Sequence, residues 1–157
     1  MGVSGAGKTQ VGSALAALLQ VPFTDADGLH PAANVEKMSA GIPLTDEDRW
    51  PWLAIVGAAL ADSESLVVAC SALKRSYRDA IRATAPDTVF VHLTVDRATL
   101  AERVAARPGH FMPVSLLDSQ LETLEPLGAD ELGIALESAG DVAATAERVA
   151  AELVSLL

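Results

Sequence analysis

The chain has 157 residues, half of them apolar, and a net charge of −10 at pH 7. These values exclude a disordered chain and argue against binding to bulk nucleic acid or to an anionic membrane surface. Cys70 is the only cysteine, so no internal disulfide can form, and we expect a protein of the reducing cytoplasm.

Strand and helix patterns alternate along the chain, and no apolar run is long enough to cross a bilayer. In order, we expect the helix KTQVGSALAALL, the strand VPFTDAD, the helices AANVEKMSA and TDEDRWPWLAIVGAALAD, the strand SLVVACS, the helix KRSYRDAIRAT, the strand TVFVHLTV, the helices DRATLAERVAAR and PVSLLDSQLETL, the weak strand GIALES and the helix DVAATAERVAAELVSLL. This alternation predicts a single α/β domain over residues 1–157, with a parallel sheet covered by helices on both faces.

A phosphate-binding loop opens the chain. Its residues, Gly2-Val3-Ser4-Gly5-Ala6-Gly7-Lys8-Thr9, match the pattern G-x-x-x-x-G-K-[ST] without departure. The glycines let backbone N–H groups point at phosphate oxygens, and the helix that follows adds its positive N-terminal end. Lys8 supplies a charge for the outer phosphates, and the Thr9 hydroxyl is a candidate Mg²⁺ ligand.

Such a loop normally follows a buried central strand, yet only Met1 precedes it in this sequence. A strand needs roughly five residues. Without that strand, the backbones of both neighbouring strands would lack partners. We therefore expect the natural polypeptide to carry an apolar segment before Met1; the alternative is that another segment fills the central position.

Asp25 and Asp27 lie two residues apart at the end of a predicted strand. If the strand extends that far, both carboxylates point to one face, at the edge where open α/β sheets bind ligands. One of them could hold Mg²⁺ through water, and the other could accept the proton of an attacking hydroxyl. Because Ser71 ends the next strand where an acid is common, the metal role falls to Thr9 and Asp25. The alternative is a pair of turn-forming aspartates.

Four further residues are candidates for binding an acceptor. His30 could contact a substrate, although a loop histidine is often structural. Arg49 follows three acids and could equally form a helix-surface salt bridge. Lys74 and Arg78 are four residues apart on a predicted helix, where the two cations suit a carboxylate or a phosphate. They belong to a basic middle segment, residues 74–107, with a net charge of +3.

The segment RVAARPGHF has the features of a lid. Arg103 and Arg107 lie on one face of a helix end, beside a Pro-Gly break. Arginines that close over a nucleotide neutralise charge in phosphoryl transfer, and closure excludes water. Alternatively, Arg107 complements the helix C-terminus. His110 could contact the substrate from the lid or simply pack.

Four separated segments resemble gluconate kinase, a small phosphate-loop kinase similar to shikimate and nucleoside-monophosphate kinases. They are GVSGAGKT, DADGLHPAANVEKMSAGIPLTDEDRWPWL, CSALKRSYRD and ARPGHFMPVSLLDSQLETLEPL, and the resemblance runs from Gly2 to about Leu127. It implies ATP- and Mg²⁺-dependent phosphorylation of D-gluconate on its 6-hydroxyl, a five-stranded parallel sheet in three layers, here without its first strand, and a homodimer.

The resemblance also implies roles for individual residues. Gly2–Thr9, Arg103 and Arg107 would hold ATP, with Lys8, Asp27 and Arg107 catalytic. The residues that would surround the sugar acid are Asp27, His30, Arg49, Lys74, Arg78 and His110. Residues of about 28–62 would form the acceptor-binding helices, and residues of about 103–124 the lid.

Two other functions remain open at this point. The chain could phosphorylate another small metabolite such as shikimate, or it could bind a nucleotide without catalysis. The Asp25 and Asp27 pair and the paired lid arginines favour catalysis, because nucleotide binding alone requires neither.

Overall fold

The computed structural model describes residues 1–108, 113–138 and 140–157. The helices are α1 (Lys8–Leu19), α2 (Ala32–Ser39), α3 (Asp46–Ala61), α4 (Arg75–Thr84), α5 (Arg97–Ala106), α6 (Val114–Thr123) and α7 (Val142–Leu156). The strands are β1 (Phe23–Asp25), β2 (Val67–Ala69), β3 (Phe90–Thr94) and β4 (Gly133–Glu137). This order confirms the predicted α/β alternation, although β1 and β2 are shorter than expected.

The strands form two parallel pairs. β1 pairs with β2, with Phe23 opposite Val67, and β3 pairs with β4, with Phe90 opposite Gly133. Parallel strands need long crossover connections, and the helices supply them. The architecture is therefore that of an open sheet with helical crossovers, as the sequence predicts.

Met1 and Gly2 lie between the two pairs of strands. The Met1 amine donates a hydrogen bond to the Val91 carbonyl, and the Leu93 N–H donates to the Met1 carbonyl at 3.0 Å. On the other side, the Gly2 N–H donates to the Ser71 carbonyl at 3.2 Å. These two residues thus bridge the end of β2 to β3, and the phosphate loop begins in the middle of the sheet.

An open cavity of about 850 Å³ continues from Met1 between β2 and β3, and we call it the strand slot. Its apolar lining comes from both strands and from α1, and includes Val11, Leu15, Val67, Val68, Val91 and Leu93. Burial lowers the pKa of the Met1 amine to about 5. Of the five strands that the resemblance implies, four are present in the described ranges, and the fifth position holds Met1, Gly2 and the strand slot.

Two apolar cores lie on opposite sides of the sheet. One joins α1, α5, α6 and α7 to β3 and β4, and it contains Val11, Leu15, Leu93, Leu100, Leu117, Leu136 and Val149. The other joins α3 and α4, and it contains Trp52, Leu53, Val56, Tyr77, Ile81 and Phe90. Helices therefore cover both faces, which gives the expected three layers.

The start of α3 follows the sequence signals closely. The Thr45 hydroxyl accepts a hydrogen bond from the Asp48 N–H at 3.2 Å, and the Thr45 N–H donates to the Asp48 carboxylate at 2.9 Å. This reciprocal capping fixes the first turn, and Pro51 is tolerated close behind it. Within the described ranges, every helix is too short or too polar to cross a bilayer.

Candidate active site

The phosphate loop is a tight turn that ends where α1 begins at Lys8. Gly5 and Gly7 have backbone φ angles of +82° and +90°, which residues with a Cβ atom rarely adopt. A Cβ on Gly5 would also lie 3.2 Å from the Val104 side chain. The loop is therefore seated against α5, and its curvature depends on these glycines.

Lys8 lies across the mouth of this loop. Its Nζ donates a hydrogen bond to the Val3 carbonyl at 3.0 Å. Burial lowers the pKa of Lys8, while Asp27 and, more weakly, Asp25 act to raise it. Arg107 lowers that pKa further. The lysine thus shares one electrostatic environment with both aspartates and with the lid arginine.

Asp25 connects the phosphate loop to the end of β1. The Thr9 hydroxyl donates to Asp25 Oδ2 at 2.8 Å, and the Asp27 N–H donates to Asp25 Oδ1 at 3.0 Å. The hydroxyl and carboxylate oxygens are hard ligands of the kind that Mg²⁺ prefers, so these two residues suit the predicted metal role.

Asp27 lies on a turn and not on the strand that the sequence had predicted. β1 ends at Asp25, and a 3-10 turn covers Ala26–Leu29, so the two-residue period of a strand does not apply. Ala26 is fully buried while Asp27 is exposed. The turn, anchored by the Asp25 carboxylate, therefore exposes Asp27, whose charge acts on Lys8.

His30 is held in a fixed orientation beside this turn. Its ring stacks on Trp52 with centroids 4.2 Å apart and planes 15° apart. The buried Asn34 side chain lies 3.2 Å from His30 Nδ1. Burial lowers the pKa of His30, with Asp27 acting to raise it and Arg49 acting to lower it. The charges of Asp27 and Arg49 thus both act on His30.

Arg49 and Lys74 converge on Asp46. Lys74 Nζ lies 3.4 Å and Arg49 Nη1 lies 3.8 Å from its carboxylate. Tyr77 joins them, since its hydroxyl donates to Asp46 and accepts a hydrogen bond from Arg49 at 3.2 Å. The predicted helix-surface salt bridge of Arg49 is therefore present. Two cations around one carboxylate leave a net charge of +1.

Sequence reasoning missed Asp46 and Tyr77 as members of this cluster. Asp46 is the first of the three acids before Arg49. The spacing of three residues between Asp46 and Arg49 could have indicated this contact, because it places both side chains on one helix face. No local pattern links Asp46 to Tyr77, because that contact spans 31 positions.

Arg78 contradicts the prediction that it binds the acceptor beside Lys74. Its guanidinium is fully buried, and it forms a salt bridge with Glu131 at 2.7 Å. The remaining N–H groups donate to the carbonyls of Ala72, Leu73 and Pro126. All five donors are thus used within the protein, so Arg78 fastens the loop before β4 to α4.

Lys74 also differs from expectation. Lys74 is the N-cap of α4 rather than a residue within it, so it does not share a helix face with Arg78. Arg82, on the same helix as Arg78, binds Glu131 at 2.9 Å and lies over the Phe90 ring. The contact of Arg82 involves the distant loop before β4, which a local pattern does not reveal.

The two lid arginines have different surroundings. Arg103 donates to the carbonyls of Gly5 at 3.2 Å and Ser138 at 3.1 Å, which joins the phosphate loop to the end of β4. Arg107 is the exposed C-cap of α5. Its alternative role at the helix terminus is therefore compatible with the structure, and its effect on Lys8 keeps the lid role open. His110 lies outside the described residues.

A second contact between the lid segment and the phosphate loop was not anticipated. The Ser4 N–H donates to Gln120 Oε1 at 2.8 Å, and Gln120 lies on α6. α6 is in turn joined to α5 by the two-bond pair between Arg97 and Asp118. A lone glutamine 116 positions from its partner carries no local sequence signal.

The chain is similar to known kinases over almost its whole length. Residues 4–154 match the family model described as shikimate kinase. The chain is 53% identical to a gluconokinase of Gluconobacter oxydans (strain 621H), covering 83% of this chain and 76% of that protein. It is 51% identical to the thermosensitive gluconokinase of Escherichia coli (strain K12), covering 85% and 74%. The crystal structure of a gluconokinase from Sinorhizobium meliloti 1021 superposes with a TM-score of 0.90 at 52% identity, covering 99% of this chain and 90% of that one.

Proposed function

The chain belongs to the gluconokinase family, and we propose that it transfers the terminal phosphoryl group of ATP to the 6-hydroxyl of D-gluconate. The hydrogen bonds of Asp25 carry this proposal, because they join the phosphate loop that contains Lys8 to the turn that contains Asp27: Asp25 accepts from the Thr9 hydroxyl at 2.8 Å and from the Asp27 N–H at 3.0 Å. Lys8 suits the transferred phosphate and Asp27 suits the attacking alcohol. Mere nucleotide binding requires no such acid.

The phosphate loop and Lys8 hold the triphosphate. Backbone N–H groups of a loop held by positive-φ glycines suit phosphate oxygens, and the N-terminus of α1 adds positive potential. Mg²⁺ would be held by Thr9 and Asp25, whose side chains already meet at 2.8 Å, and it would supply charge neutralisation at the phosphates.

Asp27 acts as the base in this mechanism. It is exposed on a turn whose backbone is fixed by Asp25, which leaves its carboxylate available to the acceptor. As the bond from the sugar oxygen to phosphorus forms and the bond to the bridging oxygen of ADP breaks, the hydroxyl proton passes to Asp27. Positioning and charge neutralisation supply most of the catalysis in this class of reaction.

The sugar acid is held on the side of Asp27 away from the phosphate loop. His30 suits a hydroxyl group, and Arg49 and Lys74 suit the carboxylate, because their cluster with Asp46 keeps a net positive charge. Arg78 is excluded from this set, since Glu131 and backbone carbonyls use its donors. The lid would act on the nucleotide and on the acceptor. Arg103 and Arg107 would hold ATP, and Arg107 would neutralise the charge of the transferring phosphate. Residues of about 103–124 would close over the nucleotide, and His110 would contact the acceptor.

The proposal includes an oligomeric state and a cellular location. A homodimer is inferred from the resemblance, and sedimentation velocity on the purified protein tests it. A cytoplasmic location is inferred from the single cysteine, Cys70. That thiol is buried, and burial raises its pKa to about 11, which suits packing rather than redox chemistry.

A related kinase activity is the second candidate, because the matching family model is described as shikimate kinase. The test is release of ADP, coupled to an indicator enzyme, with gluconate, shikimate and nucleoside monophosphates as separate acceptors. We expect turnover with gluconate alone. Turnover confined to shikimate or to a nucleotide would reject gluconate as the substrate, and no turnover with any acceptor would support a binding module.

A further inference from the structure

We propose that Asn34 is a positioning residue that fixes the tautomer of His30, so that this ring presents an N–H group at Nε2 to the acceptor. The inference rests on the proposed function only for the identity of that acceptor. The hydrogen bonds that carry it are independent of any substrate.

The orientation of the Asn34 amide is settled by a backbone group. Asn34 Nδ2 lies 2.9 Å from the carbonyl oxygen of Asp48. A carbonyl oxygen can only accept, so the atom facing it must be the NH₂ nitrogen. Asp48 is itself held, because its carboxylate binds Lys37 at 2.8 Å and caps α3 through Thr45. The Asp48 carbonyl oxygen, which accepts the hydrogen bond from Asn34, therefore belongs to a rigid first turn of α3.

The same amide nitrogen then determines the state of His30. It lies 3.2 Å from His30 Nδ1, and its second hydrogen is free to be donated there. A neutral imidazole whose Nδ1 accepts a hydrogen bond must carry its proton on Nε2. Asn34 is only 4% exposed, so water does not compete for either hydrogen bond.

The ring is also fixed in direction. It stacks on Trp52, which is buried and donates its indole N–H to the Ala26 carbonyl at 2.8 Å. Ala26 lies between Asp25 and Asp27 in the same turn. The orientations of His30 and Asp27 therefore both depend on the backbone of this turn, which fixes the ring relative to the proposed base.

Burial and the charged groups around the ring together lower the pKa of His30, which favours the neutral ring. Asp27 on the turn favours the imidazolium, whereas Arg49 on α3 and burial oppose it, and burial is the largest influence. A neutral ring with an Nε2–H donor suits a hydroxyl oxygen of a sugar acid. The opposite tautomer would offer only a lone pair on that side.

The substitution that tests the inference is Asn34→Asp. A carboxylate cannot donate to Nδ1, and it accepts from Nδ1–H instead, so we expect His30 to become protonated at Nδ1. Long-range ¹⁵N–¹H NMR of the free protein near pH 7.5 distinguishes these states, with the His30 signals assigned through His30→Gln. In the wild-type protein, a coupling across the hydrogen bond between Asn34 Nδ2 and His30 Nδ1 provides a measurement that needs no variant.

Lys37→Met is the matched control, because it disrupts the same network at Asp48 without touching the ring. We expect it to leave the His30 spectrum unchanged. In steady-state kinetics, Asn34→Asp should raise the gluconate KM about tenfold or more, since a hydrogen bond in a binding site is lost and a charge is introduced, while the ATP KM changes less than about twofold.

The outcomes separate this inference from the proposed function. A wild-type His30 protonated at Nδ1, or an Asn34→Asp spectrum identical to wild type, overturns the tautomer assignment even if gluconate is the substrate. A shifted tautomer with an unchanged gluconate KM overturns the link between His30 and the acceptor. Failure of the wild-type protein to use gluconate rejects the proposed function but leaves the NMR result decisive for Asn34.

Discussion

Lys74 and Arg78 carry the same charge and lie four residues apart, yet their environments are opposite. Lys74 is a third exposed and reaches Asp46 at 3.4 Å, whereas Arg78 is fully buried and bound to Glu131. A partly exposed ion pair contributes little to stability. Removing one partner of a buried pair leaves an uncompensated charge, which is strongly destabilising.

These two residues provide a matched pair of substitutions. We expect Arg78→Met to lower the free energy of unfolding by about 3–5 kcal/mol, with little change in gluconate KM for the protein that folds. We expect Lys74→Met to change stability by less than about 1 kcal/mol and to raise gluconate KM about tenfold or more, because a charged hydrogen bond is lost. Urea denaturation and steady-state kinetics measure the two effects.

A reversal of this pattern would show that Arg78 binds the acceptor and that Lys74 does not. The sequence could not separate them, because an i, i+4 spacing gives no information about the buried Glu131, 53 positions away. The phosphate loop residues were predictable, since their chemistry depends on local spacing. Asp27 was predicted as a site residue through a strand geometry that the turn at Ala26–Leu29 replaces.

At the scale of elements, Glu131 joins α4 to the loop before β4. Its carboxylate accepts hydrogen bonds from Arg78, Arg82 and the Gly128 N–H. The bond from Arg78 is the main reason that the pKa of Glu131 lies well below its usual value of 4.5. A depressed pKa means that this stabilisation is complete above the unfolded value and is lost as the pH falls through the folded one.

We therefore expect Glu131→Gln to be much less stable than wild type at pH 7, with a difference that narrows below about pH 4. Denaturation at pH 7, 5 and 3.5 measures it. Asp130→Asn is the control, because Asp130 pairs with Arg75 at an exposed position next in the sequence. An equal difference for Glu131→Gln at pH 3.5 and pH 7 would contradict the assigned ion pair.

The contact between α6 and the phosphate loop is a second coupling of elements. Gln120 accepts from the Ser4 N–H at 2.8 Å, so it helps to hold the loop before ATP binds. We expect Gln120→Ala to raise the ATP KM about threefold to tenfold, the equivalent of one hydrogen bond, and to leave the gluconate KM unchanged.

Glu122→Ala is the matched control for this prediction, because Glu122 lies exposed on the same helix. Equal ATP KM values for Gln120→Ala and wild type would remove Gln120 from loop positioning. The helices themselves were predictable from periodicity and caps, as Thr45 illustrates. Their mutual contacts were not, because the pairing of Ser4 with Gln120 depends on how the whole chain folds.

At the scale of the molecule, two cores flank a sheet that is interrupted at its centre. The strand slot lies between β2 and β3, and Met1 alone pairs with β3 at its end. The sequence indicated where the centre of the sheet lies, because a phosphate loop normally follows a central strand. The apolar lining and the size of the strand slot could only be seen after folding.

We expect five apolar, β-branched residues fused ahead of Met1 to raise the melting temperature by several degrees. They would pair with β2 and β3, fill the apolar slot and replace the buried amine with a peptide group. A fusion of the same length containing Pro and Asp is the control. Equal melting temperatures for the two fusions would show that the slot does not accept a strand.

Phosphorus NMR of ATP, Mg²⁺ and gluconate, incubated with wild-type protein and with Asp27→Asn, follows the proposed transfer directly. We expect the wild type to produce ADP and one phosphate ester on C6 of gluconate. The variant should form that ester about 10²–10⁴ times more slowly, because the general base is lost. Formation of the ester by Asp27→Asn at the wild-type rate would show that Asp27 is not the base of this reaction.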